Sequence, residues 1–340
     1  MLILVTGGFG MLGRAITEQL LLHGHQVRVL DLENLATVDV EIIIGNVTDF
    51  DTVLKACEGV DAVIHTASLV SQELGQPQIL YDVNVSGTEN IIRACQQQSV
   101  KKLVYTSSID VVFDGTPISN GDETLPYPAK HLDYYGTTKM LAEKAVINAN
   151  GVDGLATASI RSAGIYGPYD KHRFPAVISQ TLTGQFTKIG DGTAKFTHVY
   201  VENLAHAHVL LVEALELNAV SAGEIYFITD YAASNFFDFF LPYLDALDIE
   251  YRIQTIPLVL AQTIANVLEF RHKIWQTDKT GFIQLSRYTV ASVATDFWFN
   301  HNKATQDFGY EPLVSEQEAF ERTLSWLKNI WLPSFDTDIY

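Results

Sequence analysis

Leu2-Ile-Leu-Val-Thr-Gly-Gly-Phe-Gly-Met-Leu-Gly13 is a short apolar run that breaks into a glycine turn. Residues 2–6 have the length and composition of a parallel strand buried on both faces. Beyond the turn, Leu12, Ile16, Leu20 and Leu21 recur at helical spacing and predict a helix over 11–23. The glycines satisfy two related spacings, Gly8-x-Gly10-x-x-Gly13 and Gly7-x-x-Gly10-x-x-Gly13. One glycine permits the tight turn, one lets backbone approach a pyrophosphate, and one lets helix and strand pack closely. Strand, turn and helix in this order read as a dinucleotide-binding unit. The pyrophosphate would rest on the free N–H groups and positive end of the helix.

The next predicted strand, Gln26-Val-Arg-Val-Leu-Asp31, ends in a carboxylate 18 residues after Gly13. That is close to the spacing of about 20 expected for a group that accepts from ribose hydroxyls. Leu32-Glu-Asn-Leu-Ala-Thr37 holds no Lys or Arg to neutralise a 2′-phosphate, so NAD is expected rather than NADP. Strands are expected at 2–6, 26–31, 41–45, 60–65, 101–107 and 155–160, and helices at 11–23, 50–57, 81–98 and 134–150. Their alternation predicts a doubly wound α/β fold: a parallel Rossmann sheet with right-handed crossovers. Residues 1–168 are expected to form the cofactor domain, with return segments near 197–230. Residues 169–340 are expected to form a smaller substrate-binding region. Within it, 197–215 reads as strand or loop leading to a helix, and 224–229 as another strand.

The 340 residues are 47% hydrophobic, which excludes a disordered chain and allows a large core. The formal net charge of −18 disfavours nucleic acid and anionic membrane surfaces as partners. Cys57 and Cys95 fit reduced core thiols better than a disulfide framework. No basic region precedes the first apolar run, so a secretory leader is not expected and the cytoplasm is the simplest placement. His206 and His208 diverge on a helix and make a poor metal pair; no metal site is expected.

Tyr135 and Lys139 stand four apart on the helix predicted over 134–150 and share a face. A tyrosine of pKa about 10 is a poor base at neutral pH, and a nearby ammonium favours its phenolate. Tyr134, five residues from Lys139, is rotated off that face. Lys102-Leu-Val-Tyr-Thr-Ser-Ser108 ends in hydroxyl residues where open parallel sheets bind ligands. Ser108 is placed to hold a substrate oxygen toward Tyr135, with Thr106 and Ser107 as neighbouring alternatives. Thr66 and Ala67, after the fourth strand, are small enough to let backbone line a cofactor.

These motifs together resemble an extended short-chain dehydrogenase/reductase. The resemblance rests on Thr6-Gly-Gly-Phe-Gly-Met-Leu-Gly13, Asp31, His65-Thr-Ala, Asn84-Val-Ser-Gly-Thr-Glu-Asn90, Tyr105-Thr-Ser-Ser108, Tyr135-x-x-x-Lys139 and Ile165-Tyr-Gly-Pro168. It extends to His198-Val-Tyr-Val-Glu-Asn203 and Lys303-Ala-x-x-Asp-Phe-Gly-Tyr-Glu-Pro312. Tyr105-Thr-Ser-Ser-Ile-Asp-Val111, Lys139-Met-Leu-Ala-Glu-Lys-Ala145 and Gly223-Glu-Ile-Tyr-Phe-Ile-Thr-Asp230 are similar to the 3β-hydroxysteroid dehydrogenase branch, sterol-4-carboxylate dehydrogenases included. The resemblance implies a triad of Ser108, Tyr135 and Lys139, with Asn84 a fourth member acting through a relay water. It implies NAD held by Gly7, Gly10, Met11, Leu12, Asp31, Asn46, Val47, Thr66, Ala67, Asn84, Tyr135 and Lys139. Asp110 matches an acidic position of the steroid branch. A homodimer is compatible with the resemblance.

The implied reaction interconverts a secondary alcohol and a ketone. A nucleotide-sugar epimerase or dehydratase on the same fold is the first alternative, with Arg173, Arg252 or Arg287 as diphosphate ligands. A long-chain β-keto acid reductase is the second. An apolar substrate is expected from Pro257–Leu268, followed by Phe270 and Trp275. On a helix Leu260, Ile264, Val267 and Leu268 form one apolar face, which would either pack into the second region or border the substrate and touch lipid. Phe236, Phe237, Phe239 and Phe240 would add apolar lining.

Overall fold

The computed structural model describes residues 1–35, 39–70, 77–275 and 285–334. Ala36 and Thr37, the end of the stretch bearing on cofactor choice, and the Trp275 side chain lie outside the described residues. The first strand, β1 (Leu2–Thr6), lies between β2 (Gln26–Asp31) and β4 (Ala62–His65), and β3 (Glu41–Ile44) pairs outside β2. Beyond β4 follow β5 (Lys102–Ser108), then Ala156–Ser162, then Ile225–Ile228. All seven strands are parallel. The chain winds outward from β1 through β2 to β3, then returns to the other side of β1 for β4. The order therefore reverses between β1 and β4, and such a reversal opens a crevice beyond the carboxyl ends of the strands.

Both faces of the sheet are covered, so its central strands are buried along their length, while the edge strand β3 stays partly exposed. On one face Ile3, Val5, Val29, Ile64 and Val104 pack with Ile16 and Leu20 of α1 (Met11–Leu22) and with Leu204 and Leu211 of the helix Val201–Ala214. On the other, Leu4, Leu30, Val63 and Leu103 meet Val53, Ile91, Ala142 and Val146 from three further helices. Cys57 and Cys95 are free thiols buried on that second face.

The helix expected over 81–98 arrives in pieces. Pro77–Tyr81 and Gly87–Gln97 are α-helical, and Asp82–Ser86 between them is a wide π-turn. An inserted residue of this kind re-aims the side chains it carries, here Asn84. The helix Tyr134–Asn148 starts where Asp133 Oδ1 accepts the Gly136 N–H at 2.9 Å. That cap satisfies one of the donors left free at a helix start.

After Ser162 the chain crosses back and forth. His198–Tyr200 pairs with Gly164–Tyr166, Arg252–Ile256 with Gln185–Ile189, and Phe297–Phe299 with Ile118–Gly121. Phe236, Phe239 and Phe240 pack around Arg173 with Phe174, Phe196 and His198, and Phe237 joins the same cluster through Phe236. These rings belong to the same continuous core that covers one face of the sheet. The helix Leu258–Trp275 buries Ala261 and Ala265, while Val259, Leu260, Ile264, Val267 and Phe270 are exposed and Leu268 is half-buried. The apolar face read from the sequence thus faces outward, because the small alanines give the closer approach to the helix Arg287–Ala294.

Candidate active site

The glycine turn is fixed by three backbone relationships. Gly7 has φ +67°, a left-handed conformation that favours glycine. A Cβ on Gly7 would lie 3.0 Å from backbone of Ala67. A Cβ on Gly13 would lie 2.1 Å from the Gly7 carbonyl oxygen, so that position admits no side chain. Gly10 caps α1 without a side-chain acceptor, and no acidic residue occupies the first turn. The N–H groups at Met11 and Leu12 therefore start a helix that has no side-chain cap and no acidic residue in its own first turn.

Asp31 stands across this turn. Its Oδ2 accepts the Phe9 N–H at 2.8 Å and its Oδ1 accepts the Leu32 N–H at 2.7 Å. The carboxylate holds the glycine loop as well as facing the crevice edge. Asn46 Oδ1 accepts from the Thr48 N–H at 3.0 Å, and Val47 is buried against Gly87. Thr66 donates to the Thr6 carbonyl at 2.7 Å, and the Ala67 N–H reaches Thr6 Oγ1 at 3.2 Å. His65 is a core histidine between Thr6 and Thr88, and burial pushes it down to about 3.

Ser108, Tyr135 and Lys139 come together beyond the carboxyl end of β5, all buried. Lys139 donates to the Thr106 carbonyl at 2.6 Å and lies 4.4 Å from the centre of the Tyr105 ring. Burial pushes its ammonium down to about 7, against the pull of Glu143 and Asp110. Tyr135 is raised well above its ordinary range by burial, then by the charges of Asp110 and Asp133; hydrogen bonding to Ser108 and Ser68 works the other way. Sequence reasoning weighed only the lysine's attraction. The structure adds desolvation and two carboxyl groups, which raise the phenol. Tyr134 is exposed at the surface, as the helix-face argument requires.

Asn84 reaches the site indirectly. Its Oδ1 accepts from Ser68 Oγ (3.0 Å) and the Leu69 N–H (2.8 Å), and its Nδ2 donates to the Leu69 carbonyl and Thr138 Oγ1. It ties the π-turn to the Ser68–Leu69 loop and to the helix bearing Tyr135. Glu143, one turn beyond Lys139, is fully buried and bonded by Arg161, Ser159 and Tyr127. His208 hydrogen-bonds Thr106 Oγ1 at 2.8 Å and the Leu204 carbonyl, and is a packed core residue. Among the described residues no cluster has a metal-ligating arrangement.

Two participants were not read from the sequence. Tyr288 donates to Asp110 Oδ1 at 2.5 Å, and Ser108 donates to Asp110 Oδ2 at 2.6 Å. Asp133, raised to about 7 by burial and then by Asp110, faces the same cluster. Asp133 has a sequence signal, an Asp directly before a helical pattern. Tyr288 has none, since only the fold brings it to Asp110.

Residues 4–259 match the sequence model of the 3-beta hydroxysteroid dehydrogenase/isomerase family. The chain belongs to that family. Within it, the chain is 36% identical to 3beta-hydroxysteroid-dehydrogenase/decarboxylase isoform 2 of Arabidopsis thaliana over 94% of its own length. It spans 61% of the length of that plant protein. It is 35% identical to the 3 beta-hydroxysteroid dehydrogenase/Delta 5-->4-isomerase of Mycobacterium tuberculosis, covering 97% of this chain and 91% of that one. The family fold is shared with solved structures of low identity. The UDP-glucose 4-epimerase of Thermus thermophilus, in complex with NAD, superposes with a TM-score of 0.74 at 24% identity over 97% of this chain and 100% of that one. The dTDP-glucose 4,6-dehydratase DesIV of Streptomyces venezuelae gives 0.75 at 21% identity over 96% and 97%. Among the described residues no helix is long and apolar enough to cross a membrane.

Proposed function

We propose that this protein is an NAD-dependent oxidoreductase that interconverts a secondary alcohol and a ketone on an apolar substrate, a 3β-hydroxysteroid or sterol. The observation that carries the reading is the convergence of Ser108, Tyr135 and Lys139 beside the glycine turn, in a member of this family. The residues present fit NAD. Gly7 lets the turn close against the Ala67 backbone, α1 starts with no side-chain cap on its N–H groups, and Asp31 offers acceptors to ribose. Bound NAD supplies the hydride acceptor. Met11 and Leu12 would hold the pyrophosphate, Asn46 and Val47 would flank the adenine, and Thr66 and Ala67 would line the cofactor. Residues 1–168, with 197–230, form the cofactor region in this reading.

Each reacting group has one task. Tyr135 exchanges the proton of the substrate oxygen. Ser108 holds that oxygen. Lys139, seated on the Thr106 carbonyl, supplies positive charge beside the phenol and a donor to the nicotinamide ribose. Asn84 keeps the Ser68–Leu69 loop against the helix of Tyr135; its amide is already engaged by Ser68, Leu69 and Thr138, so it acts by positioning.

Two of the three arginines named for the diphosphate alternative, Arg173 and Arg287, are engaged elsewhere, while Arg252 is exposed on its strand. Arg173 donates to the Gly164 carbonyl at 2.8 Å and to His198 at 2.9 Å inside the aromatic cluster. Arg287 is paired with Glu269. The exposed apolar face of Leu258–Trp275 points outward and would contact the apolar substrate's lipid source as a peripheral membrane surface. Each methylene of a sterol buried there gains about 0.8 kcal/mol. We place the enzyme in the cytoplasm on the strength of its free buried thiols. The test is a screen following NADH absorbance with 3β-hydroxysteroids, alkyl β-hydroxy acids and nucleotide sugars. Turnover confined to nucleotide sugars would overturn the reading.

A further inference from the structure

Ser108 has one hydroxyl proton, and it is directed at Asp110 Oδ2. Tyr288 directs its own at Asp110 Oδ1, so both carboxylate oxygens act as acceptors. In this arrangement Ser108, whose Oγ also accepts the Asp110 N–H at 3.3 Å, offers a ligand only its remaining lone pair. It can accept from a substrate hydroxyl but cannot donate to a carbonyl. A ketone would then find a single donor, Tyr135. A proton on Asp110 Oδ2 reverses the bond: the carboxyl donates to Ser108, and Ser108 is free to donate outward.

We propose that Asp110 is a positioning residue that sets the polarity of Ser108: ionised, it makes the site discriminate against the ketone, and protonated, it admits alcohol and ketone alike. The proposal rests on the alcohol–ketone reading above and deepens it. Asp110 is buried with Ser108 from β5, Tyr288 from the helix Arg287–Ala294, His131 and Asp133 from the segment before the catalytic helix, and Tyr135 and Lys139 from that helix. Burial raises the Asp110 carboxyl, while the bonds from Ser108 and Tyr288 and the charges of His131 and Lys139 hold it down. The geometry needs no change in fold to reverse the Ser108 bond, only one proton.

The test compares dissociation constants for a 3β-hydroxysteroid and its 3-ketosteroid on the enzyme carrying a redox-inert tetrahydronicotinamide cofactor, so that neither ligand turns over. Wild type should favour the alcohol by about tenfold at pH 9. That preference should fall toward parity as the pH drops. Asp110→Asn, whose amide can donate to Ser108 and whose oxygen can accept from Tyr288, should show near parity at every pH. Asp133→Asn should keep the pH transition, which assigns it to Asp110. If Asp110→Asn does not fold, Tyr288→Phe serves instead: removing a donor to the anion should move the transition to higher pH. A ratio that is the same in wild type and Asp110→Asn, or a transition unmoved by Tyr288→Phe, overturns the proposal. Binding of neither steroid by the wild type overturns the substrate reading as well, whereas binding of both at a fixed ratio overturns this proposal alone.

Discussion

Lys139 donates to the carbonyl of Thr106 at 2.6 Å, which anchors the ammonium on strand β5 one helical turn along from the tyrosine. The lysine is buried and its pKa falls to about 7 from 10.5. The unfolded chain therefore binds more protons than the folded one between those values, and this group's contribution makes stability rise with pH across that window. Below pH 7 the full desolvation penalty is present.

Lys139→Met should accordingly stabilise the protein without cofactor while weakening NAD binding and turnover. A gain of about 1 kcal/mol would raise Tm by about 1–2 °C in a chain of this length. Thermal unfolding at pH 7, beside a cofactor titration, checks both halves. A lower Tm would show that the bond to Thr106 outweighs the burial penalty.

Tyr135→Phe removes only the proton-transfer group. Turnover should fall about 10²–10⁴-fold with cofactor affinity nearly unchanged. Tyr134→Phe, at an exposed position, should leave both at wild-type values. Steady-state kinetics on the pair separates the two tyrosines, and the reverse result would refute the helix-face assignment.

Asp133 gives a pH dependence of the opposite sign to Lys139. Its carboxyl is raised from 3.8 to about 7, so its favourable contribution is complete below 3.8 and lost as pH rises through 7. Asp133→Asn keeps an oxygen to accept the Gly136 N–H, preserving the cap. The loss of Tm between pH 5 and pH 8 should shrink in this variant. An unchanged loss would place that titration elsewhere.

Asp31→Ala removes acceptors for the ribose and the brace on the Phe9 N–H together. NAD should bind more weakly and the preference for NAD over NADP should narrow. Catalytic efficiency with each cofactor measures this; a wild type that prefers NADP would defeat the assignment of Asp31.

Ile264→Asn places an amide on the outward face of the helix Leu258–Trp275 without disturbing its buried alanines. Stability should hold within about 0.5 kcal/mol of wild type, as for surface changes. Cosedimentation with phosphatidylcholine vesicles loaded with sterol should fall. Equal cosedimentation of both forms would remove the lipid-facing role.

The sequence made some of this visible and hid the rest, for physical reasons. The unit from Leu2 to Leu22 was legible because a strand, a glycine turn and a helix each leave a local pattern, and Gly13 admits no side chain. Tyr135 and Lys139 were legible because helical spacing fixes which residues share a face. The π-turn at Asp82–Ser86 was not, since a widened turn is a backbone event with no residue signature. Tyr288 was hidden by distance, lying 178 positions from the Asp110 it bonds. The outward face of Leu258–Trp275 was legible as apolar but not as exposed. Periodicity reports a face and is silent on what covers it.

The buried pair of Glu143 and Arg161 has a consequence for how this protein can change. Glu143 sits one turn beyond Lys139, and Arg161, Ser159 and Tyr127 grip it from outside the helix. Sliding the helix by a residue would strand a carboxylate in the core, which is strongly disfavoured. The reacting end of the molecule therefore behaves as a fixed anvil. Side chains on the outward face of the helix Leu258–Trp275, by contrast, can be exchanged without moving the tyrosine.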